Sequence, residues 1–179
     1  PDDINILGLL GAALGDARRY DEAEQTLLKV IDLAPTFAKP YEDLGTLLMQ
    51  QNQAERALPL LEKAVRLDPA LEEAHFQHGK ALAQLGRGPE ADAAFERAFA
   101  LSPVRRMMAL AAEHQQAGRV QAAERLCRQV LQKEPRHVDA LRLLGLLAAT
   151  SGDLEDAEHL LRQALEEAPD HAAAMFDLG

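Results

Sequence analysis

Proline recurs along this 179-residue chain at Pro1, Pro35, Pro69, Pro103, Pro135 and Pro169, at intervals of 34, 34, 34, 32 and 34 residues. Proline lacks a backbone N–H and its ring clashes with the preceding helical turn, so a helix does not run through it. Each interval is too short to bury a core alone, so units of this size must stack on their neighbours. The stretch from Thr36 to Pro69, TFAKPYEDLGTLLMQQNQAERALPLLEKAVRLDP, shows what one interval holds. Tyr41, Leu44, Leu47 and Leu48 mark a first apolar stripe. Ala57, Leu60, Leu61, Ala64 and Val65 mark a second. Both follow the i, i+3, i+4 rule of a helix with one buried face, and a polar turn separates them. The unit is a helix–turn–helix hairpin.

Other landmarks keep the proline register. A Leu-Gly pair in the first helix stands at Leu10-Gly11, Leu44-Gly45, Leu144-Gly145 and Leu178-Gly179, and becomes His78-Gly79 and Leu110-Ala111 in the third and fourth units. A small residue of the second helix recurs as Ala23, Ala57, Ala91, Ala123 and Ala157. Small residues on both helices let their backbones approach closely. This register resembles the tetratricopeptide repeat (TPR), over the whole chain. The resemblance implies an all-α fold, a right-handed superhelical solenoid of antiparallel helix hairpins forming a single domain over residues 1–179. Five units fall at 4–37, 38–71, 72–103, 104–137 and 138–171, with the first helix of a sixth at 172–179. The expected helices are 4–16, 20–33, 38–50, 54–67, 72–84, 88–101, 104–117, 120–133, 138–150 and 154–167, and a last one beginning near Ala172. Pro89 belongs to a first helical turn, where its missing N–H is no loss. Pro59 lies deeper and should face outward, bending its helix slightly without breaking it.

Composition excludes several function classes. The formal charge is −10, against the positive field that a nucleic-acid binder needs. The imbalance is uneven, since residues 104–137 carry seven Lys or Arg against three acids. One cysteine, Cys127, cannot form an internal disulfide. It replaces a large apolar residue and reads as a buried, inert thiol. No apolar run reaches the ~20 residues that span a bilayer, and no secretory leader is visible. The expected compartment is the cytoplasm, with the periplasm left open. No HExxH, Walker loop or GxGxxG occurs, so no catalytic residue, no cofactor and no enzymatic activity are expected. His75 and His78 are spaced i, i+3, with His114 in the next unit, but two helical histidines do not close a metal site.

What remains is binding. Repeat arrays of this kind bind partners in their concave groove, and the register names its lining. A polar part carries Asp43, Thr46, Gln77 and Lys80. A more apolar part carries Ala109, Ala112, Leu143 and Leu146, with Arg105 and Arg142 at the rim. The carboxylate clamp of chaperone-binding repeats needs Lys and Asn at positions held here by Gly8, Ala12, Asp43, Arg105 and Ala109, so that function is set aside. The expected function is a protein–protein interaction scaffold that binds a peptide or partner segment, with no nucleic acid and no membrane among its partners. Self-association through the terminal units is the further partner left open. The stretch from Arg105 through the fifth unit also resembles the repeat region that precedes the catalytic domain in some bacterial sulfotransferases. That resemblance implies an alternative: the chain is the non-catalytic, substrate-presenting or regulatory part of a larger enzyme.

Overall fold

The computed structural model describes residues 3–178. Among these the regular structure is entirely helical: α1 (Ile4–Asp16), α2 (Tyr20–Leu33), α3 (Ala38–Gln50), α4 (Ala54–Leu67), α5 (Glu72–Gln84), α6 (Gly88–Leu101), α7 (Pro103–Gln116), α8 (Val120–Lys133), α9 (Val138–Thr150), α10 (Leu154–Glu167) and α11 (Ala172–Leu178). Helix bounds agree with the apolar periodicity except at α7, which begins and ends one residue before the expected 104–117. Proline is pre-shaped for a helix's first position, so Pro103 joins α7 instead of closing the unit before it. Ser102 alone then separates α6 from α7, where the other inter-hairpin links have four residues. That is where the 32-residue interval lost its length. Pro59 is exposed and α4 runs through it unbroken. Of the sequence landmarks, Pro1 and Gly179 lie outside the described residues.

The helices form two compact units, Pro1–Ser102 and Pro103–Gly179. In the first, α1–α2, α3–α4 and α5–α6 are antiparallel hairpins, α2 packs on α3 and α4 on α5, and first helices touch as α1–α3 and α3–α5. In the second, α7–α8 and α9–α10 are hairpins, α8 packs on α9, α7 on α9, and α11 closes against α10. Each is a stack of hairpins in which no hairpin buries its face alone.

Leu14, Leu27, Leu44, Leu48 and Leu61 lead the first unit's core, and Ala111, Cys127, Leu141, Leu144 and Leu147 the second's. A sixteen-residue offset governs both. A Cβ on Gly11 would lie 2.7 Å from Leu27, one on Gly45 2.6 Å from Leu61, one on Gly79 2.7 Å from Phe95, and one on Gly145 3.0 Å from Leu161. Each glycine thus vacates the space that a large side chain of the second helix fills. The fourth hairpin makes the opposite exchange, with Ala111 for glycine and Cys127 for the large residue, both fully buried. Inside every hairpin the turn carries a left-handed residue at one register: Arg18, Asn52, Gly86, Gly118 and Gly152. Burial raises the Cys127 thiol to about 11, so it stays neutral and poorly nucleophilic.

Candidate interaction surface

In the first unit the predicted site residues lie on α3 and α5. Asp43 is mostly covered, and Lys39 Nζ approaches its Oδ1 at 3.0 Å while also contacting Glu42 Oε1. Those spacings, i+4 and i+3, place three charges on one helical stripe. Glu42 is only 2% exposed. Burial lifts the carboxyl groups of Glu42 and Asp43 above their usual range, and Lys39 offsets this in part. Burial works against the Lys39 charge, but the two carboxylates outweigh it and raise its pKa. Thr46 Oγ1 is buried without a hydrogen-bond partner. Gln77 is also buried, its Nε2 donating to Glu73 Oε1 at 2.7 Å while its Oε1 has no partner. Lys80 is exposed, with Nζ 6.0 Å from the centre of the Phe76 ring. Asp43 and Thr46 come together at a cleft of about 100 Å³ between α1 and α3. Sequence reasoning missed Lys39, Glu42 and Glu73, although the i, i+3 and i, i+4 charge spacing signals the first two.

In the second unit the predicted residues separate. Ala109 is exposed and Arg105, Ala112 and Leu146 are half-buried. Leu143, expected on the groove floor, is 4% exposed and belongs to the core. Helix α9 is apolar on most sides, and its neighbours cover Leu143 together with Leu141, Leu144 and Leu147. Leu146 is left as its partly open leucine. Arg142 was expected as a rim charge, but its Nη1 donates to Asp177 Oδ2 of α11 at 2.8 Å, with both side chains largely covered. Its Nε is buried without a partner. Beside Asp177, Phe176 is 86% exposed.

A second concavity, of about 390 Å³, lies where α4, α5 and α6 meet. His78 of α5 lines it at the register where other hairpins carry leucine. Glu62 faces it from α4, His75 from α5, Glu90 and Arg97 from α6, and Arg87 from the residue that caps α6. Burial holds the His78 imidazole below its ordinary value, more strongly than Glu62 raises it. The folded chain therefore takes up this proton less readily than the unfolded chain. Stability from this group is complete above the ordinary histidine value and falls as pH drops through it. Glu42 and Asp43, whose folded values are raised, oppose that loss at more acidic pH. Moving from pH 7.5 to 5.5 should lower the denaturation midpoint of the native chain more than that of a His78→Leu variant. Equal losses would show that His78 is not responsible.

Among the described residues, no three His, Cys, Asp or Glu side chains gather where they could hold a metal ion. No helix among them is long and apolar enough to cross a membrane.

Comparison with known proteins places these hairpins. Family models described as tetratricopeptide repeat match residues 4–37 and 114–178, and one described as TPR repeat matches residues 45–86. DnaJ homolog subfamily C member 7 of Mus musculus and of Homo sapiens are each 32% identical over 91 residues, which is 51% of this chain. The match spans 18% of those proteins' length. A thermophilic TPR protein of Thermus thermophilus superposes with a TM-score of 0.72 at 19% identity, covering 98% of this chain and 97% of that one. YrrB, described as a TPR protein with an unusual peptide-binding site, superposes at 0.55 and 21% identity, covering 97% and 91%. The first TPR of Spaghetti (RPAP3), bound to an HSP90 peptide, superposes at 0.54 and 23% identity, covering 56% and 79%. Such identities speak for the fold. None of these matches carries the resemblance to a sulfotransferase repeat region.

Proposed function

Since the chain belongs to the tetratricopeptide-repeat family, we propose that it is a protein-interaction scaffold binding a peptide or partner segment along the first helices of its hairpins. The observation that carries this reading is in the second unit. There Ala109 and Ala112 on α7 leave room, and Leu146 on α9 keeps part of its apolar surface open, although most of α9 is buried. Small residues on α7 and a partly open leucine on α9, two helices that pack together, suit the apolar side chains of an extended or helical segment. Peptide binding in YrrB and in the first TPR of RPAP3, as their descriptions state it, supports the same mode. Within the first unit, Asp43 and the exposed Lys80 offer polar contacts, while Gln77 is buried.

The test is a selection of random 12-residue peptides on the intact chain, followed by affinities for the selected sequences. Replacing Leu146 by Glu should cost about 2 kcal/mol or more for peptides that use this leucine as a central contact. Lys80→Ala, at an exposed position, should matter less. A folded Leu146→Glu variant that binds every selected peptide as before would overturn the site.

A further inference from the structure

We infer that the concavity where α4, α5 and α6 meet is a second binding site, which takes one leucine-sized apolar side chain from a partner segment. None of the residues assigned to the interaction surface lines it, so it is a site apart from the groove.

The repeat itself shows what fills this space elsewhere in the chain. In the second hairpin Tyr41 and Leu44 of α3 are buried, and Leu60 of α4 and Ile31 of α2 pack into the same clusters. In the fifth, Leu141 and Leu144 of α9 and Leu160 of α10 form one cluster, with Leu131 of α8 against it. At the same register the third hairpin carries His75, His78 and Ala94. His75 keeps one contact of Tyr41: its Nε2 donates to the Pro69 carbonyl at 3.1 Å, as the Tyr41 hydroxyl donates to that of Pro35 at 3.0 Å. The smaller ring fills less space, and Ala94 lacks the leucine side chain beyond Cβ. Leu60 and Leu160 continue the packed interface of their hairpins with the preceding second helix. Ala94 breaks that interface off and leaves about 390 Å³ open.

The lining suits an apolar occupant. Val65, Leu82, Ala93 and Ala94 present hydrocarbon surface. The rim bears two arginines and two glutamates, and Arg87 already donates to both carboxylate oxygens of Glu90, at 2.8 and 2.6 Å. With no net formal charge among these four, the rim favours neither an anionic nor a cationic head group. Burial holds the half-buried His78 below its ordinary value, so at neutral pH it adds ring surface without a charge to desolvate. An apolar side chain gains here by leaving water, and a charged one does not.

A selection of random 12-residue peptides on the intact native chain tests the site, with every binder of Ala94→Leu removed. That variant restores the repeat's own leucine. The recovered peptides should share one leucine, isoleucine, methionine or phenylalanine, and replacing it by alanine should cost about tenfold or more in affinity. They should shift the imidazole NMR signals of His75 and His78 but not those of the exposed His159 on α10, and Leu146→Glu should leave their binding unchanged. If Ala94→Leu does not fold, Ala93→Glu takes its place, setting a charge over the apolar lining from an exposed position. Recovery of no peptide that separates the native chain from the variant, or of peptides that tolerate loss of the apolar residue, would overturn the site. Peptides released by Leu146→Glu that leave both histidine signals unmoved would also overturn it, while the scaffold reading of the groove would stand.

Discussion

Replacing Leu61 by Ala should destabilise the chain by about 2–5 kcal/mol, the range for emptying a well-packed leucine site. Leu61 is fully buried, and its side chain occupies the space that Gly45 leaves open across the α3–α4 hairpin. Collapse cannot refill that space cheaply, because the helices already approach closely over Gly45 and the fully buried Ala57. Urea denaturation gives the measurement. A loss below about 1 kcal/mol, smaller than ordinary cavity costs, would mean that Leu61 is not packed as described.

Cys127→Leu should show the reverse fault. Here Ala111 already holds the space that glycine leaves in the other hairpins, so a larger side chain overpacks the α7–α8 core, at about 1–3 kcal/mol. Ala111→Gly alone should cost about 1 kcal/mol through helix propensity. Together they recreate the Gly45–Leu61 arrangement, and the double variant should be more stable than the two separate losses imply. Strict additivity in urea denaturation would show that the two side chains do not share one packing space.

How far this could be read from the chain differs between helix and site. The hairpins could be placed because each has an apolar stripe at helical spacing and a proline to end it, both local properties. Helix α7 moved by one residue because Pro103 can close one segment or open the next, and spacing does not separate those roles. The candidate site was less legible. Register places Leu143 and Leu146 three residues apart on α9, yet neighbouring helices cover the first and leave the second partly open. Arg142 reads as a free charge until α11 brings Asp177 to it. The Lys39–Glu42–Asp43 stripe was present in the helical spacing, but its burial was not.

By itself the amino-acid sequence determined that this chain is a series of helix hairpins of one repeat family, since periodicity, proline punctuation and paired small residues act within 34 residues. Only the tertiary structure decided which groove positions remain open, which charges are already paired, and that Thr46 and Gln77 are buried with unpartnered oxygens. Those properties depend on helices distant along the chain, whose approach sets both the desolvation of a polar group and the partners within its reach.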